Sequence, residues 1–288
     1  MKIGTSTYSF LRLMKNGMTL EEVIVKASEL GYEQIELGGL KPPDGMGFDE
    51  YAASLRQKCK DAGLEIGAYT VGADFLYGGV SKDPAAETAR CKEDADSAAA
   101  LGVDRMRIDV VPWAFQGPGT FRGVRDAIVP YIRDLTLYAD SIGVKIMVEN
   151  HGYFIQEGDR IVSLIDAVDH PNFGACVDIG NFLCADDDPL YAVRQLAGYA
   201  FHTHVKDFLW KDGQTRSPGA GWIPTLGGHY IRGTILGHGV VPIDQCIKIL
   251  HGAKYDGGLS LEFEGPEESI PALIASQEYM SRALKELN

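Results

Sequence analysis

Four short apolar runs of this chain end in residues that bind cations or move protons. They are Val148-Glu149-Asn150-His151-Gly152, Val177-Asp178-Ile179-Gly180-Asn181, His202-Thr203-His204-Val205-Lys206-Asp207 and Leu259-Ser260-Leu261-Glu262. Turn residues ordinarily close such runs. If the four ends meet, Glu149, Asp178, His204 and Glu262 bring three carboxylates and one imidazole together. Three carboxylates in a partly desolvated pocket do not all stay ionised without a counter-charge, and a divalent cation is the simplest one. Hard oxygens with one imidazole suit Mn2+, Mg2+ or Co2+ better than a structural zinc, so one divalent ion per chain is expected, with Mn2+ first. A single glutamate at a strand end is more often a solvated terminus or a helix cap. Four ligand types on consecutive units are harder to explain that way.

A divalent ion beside a carbonyl and a neighbouring hydroxyl acidifies the α C–H by stabilising an enediolate. Returning the proton to the adjacent carbon gives an isomer, returning it to the opposite face gives an epimer, and expelling a β substituent gives elimination. The ligand set alone does not choose among these. His151, two residues beyond Glu149, titrates near pH 6.5 when unperturbed, as a general acid or base should, with a supporting hydrogen-bond role as the alternative. Lys206 shares the inward face of His204, where it either holds a substrate oxyanion or pairs with Asp178 or Asp207. Arg107 points to the same mouth, with a structural ion pair as the blander role. Trp113, Trp210 and Trp222 offer stacking surfaces, although packing is the usual fate of tryptophan. The candidate substrate contacts are thus Arg107, Trp113, His202, Trp210 and His238.

Positioning these groups requires eight β-rich runs, each followed by an amphipathic stretch. The runs are 3–7, 34–37, 64–71, 105–110, 144–149, 173–178, 200–206 and 258–263. Several are continuously apolar, as strands covered on both faces should be. Thr19-Leu20-Glu21-Glu22 forms a capping box before apolar positions at Leu20, Val23, Ile24, Ala27 and Leu30. Leu30-Gly31, Ala62-Gly63, Leu101-Gly102 and Ile142-Gly143 repeat a glycine C-cap ahead of the next run. Alternating strand and helix implies parallel strands with right-handed crossovers, and eight units closing on each other give a single α/β domain, a (β/α)8 TIM barrel over 1–288. The rival, an open doubly wound sheet, lacks a G-x-G-x-x-G after its first strand. An irregular Gly-rich stretch over 208–240, leaving the seventh strand, reads as an inserted lid or interface loop.

Composition narrows the partners. The chain has 288 residues, 27 Lys+Arg and 40 Asp+Glu, for a net charge of −13. That charge repels phosphate backbones, so no nucleic acid is expected. No run reaches the ~18 apolar residues of a membrane span. Five cysteines without a C-x-x-C pair, and no apolar leader at the start, fit a reducing, cytoplasmic setting. No Gly-rich helix start marks a phosphate site, so a neutral sugar, keto-sugar or polyol derivative is the expected small-molecule substrate.

The four strand-end segments, with Gly4-Thr5-Ser6-Thr7-Tyr8-Ser9 and Tyr32-Glu33-Gln34-Ile35-Glu36, resemble the xylose-isomerase-like barrel superfamily, and within it the sugar isomerase/epimerase branch. The resemblance covers nearly the whole chain. It implies the metal quartet Glu149, Asp178, His204 and Glu262, with His202 as a supporting residue and the two glutamates also moving protons on opposite faces of the substrate. Ketose 3-epimerases of this kind carry a histidine where this chain has Asn181, and an arginine where Phe208-Leu209-Trp210 follow. The superfamily's DNA-repair endonucleases need a histidine-rich site and a basic face, which this chain lacks. Glu149-Asn150-His151 and Gly227-Gly228-His229-Tyr230-Ile231-Arg232-Gly233 with Gly237-His238-Gly239 also resemble catalytic (alpha) subunits of bacterial C-glycoside deglycosidases. Those act on 3-oxo-glycosides as carbon–carbon lyases and pair with a small beta subunit. The expectation is therefore a metal-dependent isomerase or epimerase, with that lyase as the alternative, as a homo-oligomer or a hetero-oligomer with a small beta subunit. A non-catalytic barrel subunit stands as the second alternative.

Overall fold

The structure, a computed structural model, describes residues 1–115, 117–214 and 216–287. Eight parallel strands close into a barrel. In chain order they are β1 (Lys2–Ser6), β2 (Gln34–Gly38), β3 (Glu65–Val71), β4 (Arg105–Ile108), β5 (Lys145–Glu149), β6 (Phe173–Asp178), β7 (Ala200–Val205) and, after three short strands described below, β11 (Gly258–Leu261). Each pairs with its sequence neighbour, and β11 pairs with both β7 and β1 to complete the circle. All eight expected strands are present, shifted at their ends by a few residues.

Between strands run helices α2 (Leu20–Glu29), α3 (Phe48–Asp61), α4 (Pro84–Ala100), α5 (Phe121–Ser141), α6 (Gly158–Val168), α7 (Pro189–Leu196) and α8 (Ile243–Gly252). A short α1 (Leu11–Lys15) precedes them and α9 (Ser269–Lys285) closes the ring. Their starts are chemically specified. Thr19 accepts from the Glu22 amide while the Glu22 side chain accepts from the Thr19 amide. Asp83 and Asp188 cap helices that open on Pro84 and Pro189, where the missing N–H costs nothing. Gly31, Gly63, Gly102 and Gly143 all take left-handed backbone, between +73° and +83°, just past their helices. There the four expected caps turn the chain into β2, β3, β4 and β5. Helix α6 ends instead on a left-handed Asp169, a residue that tolerates this region.

Apolar side chains of strands and helices form one large core, with a second small cluster of Ala68, Met147 and Cys176 apart from it, and β6 is buried along its whole length. Among the described residues no helix is long and apolar enough to cross a membrane.

The stretch over 208–240 is more ordered than its composition predicts. Strands β8 (Asp207–Lys211), β9 (Ile223–Pro224) and β10 (Tyr230–Thr234) form an antiparallel sheet in the order β8-β10-β9. Two aspartates tie it down. The Asp207 carboxylate accepts from the amides of Phe208, Gly237, Gly239 and Val241 at 2.8–3.1 Å. Asp186 accepts from the Thr225 hydroxyl at 2.7 Å and from the Gly227 amide.

Candidate active site

The strand register brings the four sequence-distant donors together. Asp178 ends β6 directly opposite His204 of β7, His204 lies opposite Ser260 of β11, and Glu149 ends β5 opposite Cys176. Glu262 follows β11 and is held by its amide to the Val205 carbonyl at 3.0 Å. One donor atom from each of Glu149, Asp178, His204 and Glu262 lies within 4.8 Å of the others, and all four residues are buried. His204 Nδ1 is 3.0 Å from a Glu149 oxygen, 3.5 Å from Glu262 and 3.9 Å from Asp178. Bonds of about 2.0–2.6 Å from a central dication fit this spacing with little movement.

The surrounding charges favour a cation. Five carboxylates, those of Asp109, Glu149, Asp178, Glu262 and Glu264, share Arg107 and Lys206 as partnering cations, and a sixth, Glu36, faces His202 and His204. Burial pushes the Asp178 carboxyl up to about 7, against the pull of Lys206. An ion there stabilises its charged form. The donor chemistry thus fits a divalent ion held by Glu149, Asp178, His204 and Glu262.

Above these donors lies a cavity of about 370 Å³ at the carboxyl ends of the strands. It is lined by Ser6, Thr7, Tyr8 and Leu11, by Gly38, Gly39, Thr70 and Gly72, and by Arg107, Glu149, His151, Lys206, Glu262 and Glu264. This volume suits a small ligand of sugar size. Asp178 and His204 sit below it as a floor, fully buried.

Three neighbours fix the glutamates. Arg107 binds one Glu149 oxygen through Nε and Nη2, and it lies 3.1 Å from Asp109 through Nη1. Asn181 donates to the other Glu149 oxygen at 3.2 Å, which also faces His204. Burial works against Glu149's charge, but Arg107 and His204 outweigh it and hold this carboxyl well below the usual range. Lys206 Nζ lies 2.8 Å from Asp178, 2.8 Å from Glu262 and 2.7 Å from Glu264. Of its two expected ion-pair partners, Asp178 is in contact and Asp207 is not, because Asp207 turns toward backbone amides.

His151 stands in the cavity wall with Nδ1 2.8 Å from Asp109 Oδ1. Burial lowers its affinity for a proton, but the Asp109 hydrogen bond and the charges of Glu149 and Asp109 more than compensate and raise it. Its Nε2 has no hydrogen-bond partner among the described residues.

Other expected contacts lie elsewhere. His202 is buried one layer below the floor, with Nε2 3.0 Å from Glu36, and does not line the cavity. Trp113 is 67% exposed and meets Tyr153 edge-on. Trp210 is 42% exposed and packs on His229 in the small sheet, where Trp222 lies under the Arg232 guanidinium. His238 is exposed beside Gly237 and also lies outside the cavity. Trp113, Trp210 and His238 belong to connections between barrel strands and helices, whose course strand periodicity does not reveal. Asp109, Thr70 and Glu264 had no place in the expected site, and Tyr8 and Glu36 only one within the segments that carry the family resemblance. Asp109 directly follows β4 as a carboxylate at a strand end, but the two arginines of Arg105-Met106-Arg107-Ile108 break the apolar run that marked the quartet.

Residues 24–283 match the xylose isomerase-like TIM barrel family, and the chain belongs to it. The 3-oxo-isoapionate decarboxylase of Pectobacterium atrosepticum is 22% identical over 250 residues, which are 85% of this chain and 78% of that protein. Among solved structures, the IOLI protein with a bound zinc atom superposes with a TM-score of 0.77 at 16% identity, covering 100% of this chain and 99% of that one. An L-ribulose 3-epimerase superposes with a TM-score of 0.75 at 14% identity, covering 99% and 95%. At such identities the structural likenesses establish the fold, and enzymes of more than one reaction type share it.

Proposed function

We propose that this chain is a divalent-metal-dependent enzyme that enolises a neutral oxo-sugar, ketose or polyol-derived ketone, with His151 as the proton carrier. The observation that carries the reading is the juxtaposition of four buried donors with the His151–Asp109 pair in one sugar-sized cavity. An ion held by Glu149, Asp178, His204 and Glu262, with Mn2+ the expected species, supplies a Lewis acid for the substrate carbonyl. The chain supplies the rest. Asp109 accepts from His151 Nδ1–H and aims Nε2 at the cavity, where neutral imidazole removes the proton on the carbon next to the carbonyl. The resulting imidazolium is stabilised by the Asp109 charge and returns its proton to the product or to a leaving group. Arg107 keeps Glu149 ionised and oriented. Lys206 keeps Glu262 and Glu264 in place at the cavity wall.

The same geometry bears on which outcome follows. Epimerisation needs proton carriers on both faces of the substrate. Both Glu149 oxygens are engaged by Arg107, Asn181 and His204, and Glu262 is engaged by Lys206, so His151 is the carrier best placed to move. Isomerisation, or loss of a β substituent as in a lyase, needs one such group. We place lyase or isomerase chemistry ahead of epimerisation, and Asn181 in the place of the epimerase histidine agrees with that order.

The test is deuterium incorporation from D2O, followed by NMR, across ketoses, 3-oxo-glucosides and polyol-derived ketones with Mn2+ present. Wild type is expected to exchange the α proton of at least one class, while His151→Asn and Glu149→Gln are not. Exchange that persists undiminished in His151→Asn overturns the assignment of the proton carrier. Absence of Mn2+ binding in calorimetry overturns the whole reading.

A further inference from the structure

Beneath the four donors lies a second cluster of ligand-type side chains, Glu36, His202 and His204, all buried. His204 belongs to both clusters. Its Nδ1 faces Glu149, Asp178 and Glu262, and its Nε2 lies 2.8 Å from Glu36 Oε2. The same Glu36 oxygen lies 3.0 Å from His202 Nε2, and the other Glu36 oxygen accepts from the Thr70 hydroxyl. Glu36 projects from β2, which is separated from β7 by β1 and β11 around the barrel. The contact therefore spans the barrel interior.

The chemistry of these partners restricts one another. One Glu36 oxygen faces two imidazole nitrogens and the other faces the Thr70 hydroxyl, three groups that can all donate to a carboxylate, whereas the single proton of a carboxylic acid could serve only one of the imidazoles. An ionised carboxylate has no proton to donate, so each imidazole nitrogen facing it must carry N–H. A neutral imidazole protonated at Nε2 keeps its lone pair on Nδ1, the nitrogen a metal ion needs. His202 supplies the second N–H through Nε2, 3.0 Å from the same oxygen.

The geometry points to Glu36 as a positioning residue: it fixes His204 as the Nε2–H tautomer and presents Nδ1 to the ion, while His202 and Thr70 hold Glu36 in place. This deepens the proposed function and rests on its ion site. It also gives His202 a role that is neither ligand nor substrate contact. Carboxylates behind ligating histidines typically strengthen binding 10- to 100-fold.

Calorimetric titration with Mn2+ alone tests this on wild type, Glu36→Gln and Glu149→Gln, with circular dichroism to confirm folding. Glu36→Gln is expected to fold and to bind Mn2+ about 10- to 100-fold more weakly. Wild-type affinity in folded Glu36→Gln overturns the inference, and the site reading then stands on Glu149→Gln losing the ion. A second measurement needs no variant: 15N NMR of imidazole-labelled wild type loaded with diamagnetic Mg2+. His204 is expected to show N–H at Nε2 and none at Nδ1. The opposite tautomer overturns the inference even if Glu36→Gln fails to fold. Wild type that binds neither ion overturns the site reading itself.

Discussion

Asp109→Asn separates the orientation of His151 from its presence. The replacement keeps size and shape but removes the charge that accepts from His151 Nδ1 at 2.8 Å. Hydrogen bonds to charged groups contribute about 1.5–3 kcal/mol. If that interaction is realised mainly when His151 carries the transferred proton, its loss lowers the exchange rate roughly 10- to 150-fold at 1.4 kcal/mol per decade. His151→Asn removes the proton transfer altogether, for about 10²- to 10⁴-fold. The assay is α-deuterium exchange at saturating Mn2+, followed across pH 5–9. Asp109 raises the proton affinity of His151, so its removal must shift the limb belonging to His151 toward acid. Arg107 keeps its Glu149 partner in this variant, so the ion site survives and Mn2+ affinity should change little. A rate within twofold of wild type, with an unmoved limb, refutes the dyad.

Saturating Mn2+ at about 100 times its dissociation constant should stabilise the fold by about 2.7 kcal/mol, several degrees in Tm, and EDTA or Glu149→Gln should abolish the shift. The stabilisation should grow between pH 6 and 8. Asp178 in the metal-free fold is raised to about 7 by burial, so its contribution to stability is present below the unfolded carboxyl range and lost as pH rises through 7, where the ion instead gains its ligand. A Tm difference that is flat over this window rules this out. Asp207→Asn leaves at least one of four amides without an acceptor and should cost about 1–3 kcal/mol in urea unfolding, with the loss concentrated in hydrogen-exchange protection of 207–241. Phosphorylated sugar analogues should bind no tighter than neutral ones in calorimetry, because the cavity wall carries an excess of carboxylates.

The barrel and its donors were legible because both obey local rules. Strand runs recur in every unit, left-handed glycines close the helices before β2, β3, β4 and β5, and a parallel register converts recurrence along the chain into adjacency at one rim. Glu149, Asp178, His204 and Glu262 were visible as ligand types where turn residues belong. Glu36 was not, because one acid inside Gln34-Ile35-Glu36-Leu37 reads as ordinary alternation of a half-solvated strand. Only the closed barrel makes that position interior. Trp113, Trp210 and His238 lie outside the cavity lining, and their places were not legible for the converse reason: each lies on a connection whose path depends on tertiary contacts. The small sheet over 207–234 was hidden by glycines and prolines, and its order rests on distant anchors at Asp186 and Asp207.

Strand β7 and strand β8 are separated by Lys206 alone. The small antiparallel sheet that starts at β8 is therefore joined through one residue to the side chain that bridges Asp178, Glu262 and Glu264. The backbone that leaves the barrel for that sheet is thus the same backbone that carries the ammonium group balancing three interior carboxylates.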